Sequence, residues 1–122
     1  MQCPKCAAPM QPLSFASVEV DRCTGCKGLW FDATELEELE AFDGSEVIDA
    51  GAPAAHGDEG RRTECPKCRT AMLRMVHPRQ SHIWYESCPT CYGAFLDAGE
   101  FRDLKHETLA DFFRDLFTPE RR

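Results

Sequence analysis

No apolar run in the chain approaches the roughly 18 residues that a membrane-crossing helix needs. Its opening run, Met1-Gln2-Cys3-Pro4-Lys5-Cys6, has neither the basic nor the apolar region of a signal peptide. The expected location is therefore the cytoplasm, with no membrane partner. Positive charge is also scarce, since 14 Lys and Arg stand against 21 Asp and Glu. A formal charge of −7 lacks the field by which proteins grip a phosphate backbone without regard to sequence. Missing too are a Ser/His/Asp set, a phosphate-cradling glycine loop and a convincing carboxylate pair. The expectation is a non-enzymatic protein.

What the chain does have is cysteine. Eight in a reducing compartment point to metal binding or thiol chemistry rather than structural disulfides. All fall in C-x-x-C pairs, namely Cys3/Cys6, Cys23/Cys26, Cys65/Cys68 and Cys88/Cys91. The gaps of 16 residues (7–22) and 19 residues (69–87) match the spacing of a four-cysteine zinc site, once in each half. A thiol-exchange enzyme would use one such pair at a helix start in a larger βαβ setting, which leaves four registered pairs unexplained.

The similarity of the halves extends beyond cysteine. Cys3-Pro4-Lys5-Cys6 returns as Cys65-Pro66-Lys67-Cys68, and the run from Cys23 through Gly28-Leu29-Trp30-Phe31-Asp32 to Leu36 returns from Cys88 through Gly93-Ala94-Phe95-Leu96-Asp97 to Phe101. Between the cysteine pairs, Leu13, Phe15, Val18 and Val20 alternate with polar neighbours around Ala16-Ser17, as a hairpin requires. In the second copy Leu73 and Met75 precede a longer loop with Pro78, then the β-favouring run Ile83-Trp84-Tyr85. Asp32 with Glu35, and Asp97 with Glu100, have the form of capping boxes that open a helix. The first helix carries Leu36, Leu39 and Phe42 and should end at Gly44. The second should reach about Phe117, before Thr118-Pro119. Its apolar face drifts, so the first half is expected on its own ribbon and the second half on the other ribbon or another chain.

The fold class expected is a small metal-stabilised α+β protein: two zinc ribbons, each a knuckle, a β-hairpin and a knuckle followed by an α-helix, the second helix long. Residues 1–42 form the first ribbon with its short helix, 43–62 a flexible linker of small and acidic residues, 63–105 the second ribbon and 106–122 a helical C-terminal extension. A unit of about 40 residues cannot bury enough apolar surface to offset its chain entropy, and a metal supplies the deficit. Two Zn2+ ions are the expected cofactors, held by Cys3, Cys6, Cys23 and Cys26 and by Cys65, Cys68, Cys88 and Cys91. Four cysteines leave no coordination position open for a catalytic water, so the sites are structural; iron fits the same thiolates. Eight thiolates and two divalent ions would take the formal charge from −7 to −11, with Lys5, Arg22, Lys27 and Lys67 beside the ligands to soften the local field. A zinc-linked thiol switch, in which oxidation releases metal, stays open.

The pattern C-P-K-C, a hairpin, then C-x-G-C-x-G-L-W-F-D-A-x-E-L resembles the bacterial zinc-ribbon family of transcription factor IIB-like zinc fingers. Copy one matches from Cys3 to Leu39 and copy two from Cys65 to Leu104, with Phe95 where copy one has Trp30. The resemblance implies zinc ligation by the eight cysteines already named.

Function is expected to reside in contacts. The candidate surfaces are the aromatic tail, with Phe112, Phe113, Leu116 and Phe117, and the second hairpin, with Arg74, Arg79 and Trp84. They suit a protein partner or self-association through the C-terminal helix, as in an interaction or scaffolding module. The alternative is a regulator that touches nucleic acid or the transcription machinery, since Arg69, His77, His82 and Tyr85 add basic and aromatic groups near that hairpin. Residues 63–122 nevertheless balance nine basic against nine acidic side chains. His56, His77, His82 and His106 are expected at the surface.

Overall fold

Ala16 and Ser17 both take positive φ, 51° and 72°, the geometry of a two-residue turn whose twist suits antiparallel strands. They close a hairpin in which β1 (Met10–Phe15) pairs with β2 (Val18–Cys23), Leu13 opposite Val20. The computed structural model describes residues 1–50, 63–78, 80 and 83–105. Within it the second copy repeats the hairpin as β4 (Leu73–Val76) and β5 (Trp84–Ser87), Met75 opposite Tyr85.

Each copy contributes one strand more than expected. Residues Leu29–Phe31 form β3 and Ala94–Leu96 form β6, and these pair antiparallel with Trp30 directly opposite Phe95. The two ribbons thereby share one six-stranded sheet of order β1-β2-β3-β6-β5-β4. All six residues of β3 and β6 are buried. A three-residue strand covered on both faces shows no polar–apolar alternation, so its period cannot be read from sequence.

The faces of that central pair go to different cores. Leu29, Phe31, Ala94 and Leu96 join Val20, Leu39, Ile48, Phe101 and Leu104 beneath the helices. Trp30 and Phe95 join the first cysteine of each knuckle on the opposite face. Helix α1 (Glu35–Glu40) is short, as expected. Of the second helix, α2, residues 100–105 are described, and its expected long continuation, with Phe112, Phe113, Leu116 and Phe117, lies outside the described residues. Phe101 meets Phe31 of the other copy with ring centroids 5.4 Å apart. The start of α2 therefore already packs across the ribbons, not on its own ribbon alone.

The first capping box forms by half. Glu35 Oε1 accepts from the Asp32 amide at 2.8 Å, but the Asp32 carboxylate turns away to accept from Trp30 Nε1 at 3.0 Å. The residue before α1 is Thr34 at φ 71°, where the second copy has Gly99 at φ 89°. A β-branched side chain in the left-handed region is strained by about 1–3 kcal/mol. Thr34 is exposed and makes no side-chain cap. Thr34→Gly is therefore expected to raise stability by about 1 kcal/mol in denaturant melts, after the entropic cost of glycine is subtracted. A variant less stable than the parent would overturn this reading of the turn.

The expected linker begins later than residue 43. Gly44, at φ 82°, opens a 3-10 turn over Ser45–Ile48 instead of ending the helix, which stops at Glu40. Asp49 follows and is almost fully buried. Its carboxylate accepts from the amides of Gly99 and Arg102, both at 2.9 Å, and its carbonyl accepts from Arg102 Nη1 at 2.7 Å. Asp49 thus caps the first turn of α2 from 50 residues away, a partnership that no local pattern announces. Asp49→Ala strands a buried amide at Gly99 and a partly buried one at Arg102 and should cost about 2–4 kcal/mol, measurable as a fall in the unfolding midpoint. A loss under about 0.5 kcal/mol would remove this role. The rest of the linker, 51–62, lies outside the described residues, as do His56, Arg79, His82 and His106.

Candidate metal centres

Each knuckle is built by the backbone before any ion is considered. The residue after its second cysteine takes positive φ: Ala7 66°, Lys27 68°, Arg69 63° and Tyr92 65°. That reversal brings the amide of the first cysteine to the carbonyl five residues on, Cys3 to Ala8, Cys23 to Gly28, Cys65 to Thr70 and Cys88 to Gly93, at 2.8–3.0 Å. The amides between then point at the first sulfur. Gly25 and Cys26 donate to Cys23 Sγ at 3.2 and 3.3 Å, and Thr90 and Cys91 donate to Cys88 Sγ at 3.3 and 3.4 Å. Lys5 donates to Cys3 Sγ at 3.4 Å, and Lys67 and Cys68 to Cys65 Sγ at 3.4 and 3.3 Å.

The eight sulfurs gather into the two expected tetrads, with every sulfur in a tetrad within 4.8 Å of the others. Cys3 and Cys26 stand 3.7 Å apart, Cys65 and Cys91 3.7 Å, and Cys6 and Cys23 3.3 Å. Four ligands about 2.3 Å from a central zinc are about 3.8 Å from one another, so the tetrads need little adjustment to close on the ion. None of the cysteines is in a disulfide. The protein binds two zinc ions, one in each tetrad, through cysteine alone.

The charge balance calls for the same ions. In each tetrad burial raises one sulfur's pKa, but the knuckle amides outweigh it and bring Cys23 and Cys88 down to about 7. Cys3, Cys26, Cys65 and Cys68 resist ionising. Burial lifts Cys3 far above the usual thiol range, Cys26 to about 11 and Cys65 upward, while the Cys91 thiol and then burial push Cys68 to about 12. Burial thus opposes ionisation at both tetrads, and a central cation supplies the charge that stabilises four thiolates together.

Several side chains shared by the two copies reach across to the other ribbon and not to their own metal site. Lys5 Nζ, nearly buried, reaches the other ribbon and meets Asp97 at 3.1 Å and Glu86 at 3.2 Å. Burial works against its charge, but those two carboxylates hold its pKa above the usual lysine value. Reciprocally, Lys67 Nζ meets Asp32 of the first ribbon at 2.5 Å. A Cβ on Gly93 would lie 2.2 Å from Trp30 Cζ2, and one on Gly28 would lie 2.2 Å from Phe95 Cζ. Each glycine is the floor under the other ribbon's aromatic ring. The lysines thus act across the ribbon interface instead of only softening the field at the ligands. Arg22 likewise donates to the Ile48 carbonyl at 3.1 Å.

Sequence reasoning missed this lock, although the signal was there. Residues repeated in both copies that no zinc ion needs must be retained for something else, and Lys5/Lys67, Gly28/Gly93, Trp30/Phe95 and Asp32/Asp97 are such pairs.

The second hairpin has a more mixed outcome. Arg74 stacks on the exposed Trp84 ring at 5.1 Å and is paired with Glu86 at 3.1 Å. Tyr85 is partly buried and packs against the core beneath the helices. His77 was expected at the surface but is buried, with Nε2 3.4 Å from the Glu40 carboxylate.

Residues 2–41 and 64–107 each match the model of one family, described as transcription factor zinc-finger. No curated protein and no solved structure matches the chain.

Proposed function

Since the chain belongs to the transcription factor zinc-finger family, we propose that it is a non-enzymatic interaction or scaffolding module whose two zinc ions are structural. Ligation by four cysteines gives each ion a closed shell, with no position for a substrate or an activated water. The observation that carries the interaction reading is the second hairpin. Leu73, Met75, Val76 and Trp84 are all exposed there, on strands anchored to a zinc knuckle at Cys88. Exposed apolar side chains on a rigid support favour a protein contact. The charge of Arg74 is committed to Glu86 and its plane to Trp84, which leaves little for phosphate.

The aromatic tail is the second proposed contact. Phe113→Asp with Phe117→Asp is expected to leave both metals bound while changing partner capture or self-association. Unchanged sedimentation together with unchanged capture would count against the tail. Single-stranded oligonucleotides titrated at low and high salt test the nucleic-acid alternative, because phosphate contacts weaken steeply as salt rises. Tight, salt-sensitive binding would replace the scaffolding reading.

A further inference from the structure

The two ends of the sheet are not equivalent. On β1 the Met10 amide points away from β2, to the Met1 carbonyl at 3.0 Å, so Pro12 and Ser14 also face outward by the period of two. On β4 the Met72 amide likewise points away from β5, to the Thr63 carbonyl at 2.8 Å, and the outward residues are Arg74 and Val76. Pro12 stands opposite Asp21 as Arg74 stands opposite Glu86. The first edge is therefore blocked at its middle by a proline, which has no N–H and leaves Ser14 as its outward donor, while the second offers the amides and carbonyls of both Arg74 and Val76. No backbone partner occupies those groups among the described residues.

Side chains along the open edge are apolar. Leu73 is 54% exposed, Met75 39% and Val76 37%. The strand's one charge is already neutralised by Glu86 across the hairpin, so two such edges meet without facing guanidinium groups. Antiparallel pairing centred on Met75 sets Arg74 against Val76 in both directions and joins their outward amides and carbonyls. It also brings Leu73 and Met75 of one copy beside those of the other on a single face. A register centred on Arg74 would oppose like charges and is disfavoured. The chain already uses this type of join internally, where β3 meets β6 about an approximate two-fold axis.

We propose that the β4 edge is a self-recognition surface, which pairs antiparallel with β4 of a second copy of this chain and continues the sheet from one molecule into the next. This names the partner for, and rests on, the interaction-module reading. One short strand pair buries less than the roughly 800 Å² per partner of a standard interface. The dimer is accordingly weak and reversible, with a dissociation constant on the order of 10–100 µM. Both copies are negatively charged, so salt tightens the dimer by screening their repulsion.

Sedimentation equilibrium of the zinc-loaded full chain, from about 1 µM to about 1 mM, tests the proposal by mass action. The parent should pass from monomer to dimer, and the amides of Arg74 and Val76 should gain protection from hydrogen exchange as concentration rises. Arg74→Pro gives β4 the blocked edge that Pro12 gives β1 and should abolish the dimer. Arg74→Ala keeps the N–H and should retain it. Should Arg74→Pro fail to hold two zinc ions, Met75→Lys decides instead: it places like charges face to face and should weaken the dimer at least tenfold.

A parent that stays monomeric throughout overturns the proposal, as does a dimer that survives Arg74→Pro in the folded state, or survives Met75→Lys, or is lost equally in Arg74→Ala. If Phe113→Asp with Phe117→Asp is what removes the dimer, association belongs to the tail. The β4 proposal then falls while the interaction reading stands.

Discussion

A chain carrying Cys23→Ser is expected to lose one zinc ion and to hold the other more weakly, although only one tetrad is altered. Structural zinc in small domains contributes about 10–16 kcal/mol, comparable to the whole stability of an ordinary domain. Without it the first ribbon has no means of keeping its knuckles closed. The damage then crosses β3 and β6. Lys5 and Gly28 lie within or beside the knuckles that Cys3, Cys6, Cys23 and Cys26 close, and they meet Asp97 and Phe95 of the second ribbon. When they move, Asp97 loses its lysine and the Phe95 ring loses its floor.

Zinc affinity at the intact second tetrad should therefore fall at least tenfold, and titration of the parent should show positive cooperativity between the sites. Native mass spectrometry reads the stoichiometry directly, and chelator competition reads the affinity. A variant that retains one zinc ion at parental affinity would establish that the ribbons are energetically independent, contrary to the interface described above.

The second large effect concerns glycine. Gly93→Ala introduces a single methyl group, yet its Cβ would lie 2.2 Å from Trp30 Cζ2 and 2.6 Å from Cη2. The indole cannot swing aside cheaply, because it is fully buried and its Nε1 is bonded to Asp32. Overpacking of this kind costs about 1–3 kcal/mol in a yielding core and more in a rigid one. We expect about 3 kcal/mol or more, a fall of roughly 10 °C or more in Tm.

Trp30→Leu alone also destabilises, by leaving a cavity. Combined with Gly93→Ala it should recover part of the loss, since the smaller side chain makes room for the methyl group. The two changes lie on opposite ribbons, so a double-mutant cycle with a coupling energy above about 1 kcal/mol establishes contact between them in solution. Strictly additive losses would argue that Gly93 does not face Trp30. Gly28→Ala with Phe95→Leu provides the mirror test.

The parts of this architecture that were legible in sequence are those whose causes are local. Eight ligands follow from spacing, because a knuckle is a short reversal with fixed separations. The Ala16-Ser17 turn follows from alternation on either side of it. The start of each helix was placed by its Asp and Glu, although Asp32 turned out to hold Trp30 and Lys67 instead of capping a backbone amide. What stayed hidden acts over distance. Asp49 looked like one more acidic residue in a polar stretch because its partners, Gly99 and Arg102, lie half the chain away. Likewise β3 and β6 were not expected, since each acquires its identity as a strand only by pairing with the other. His77 was read as solvated because the carboxylate it meets, that of Glu40, belongs to the other copy.

The exchange of contacts across β3 and β6 has a bearing on how short such a protein can be. Lysine, glycine, aromatic ring and aspartate occur in both copies, so one copy holds both halves of each of these contacts, though not of those made by Asp49 and His77. A half-length polypeptide with a single tetrad is thus equipped to assemble the same central sheet from two identical molecules. With both halves in one chain the outer strands need not be alike, and the rim at Pro12 differs from the rim at Arg74 in this way.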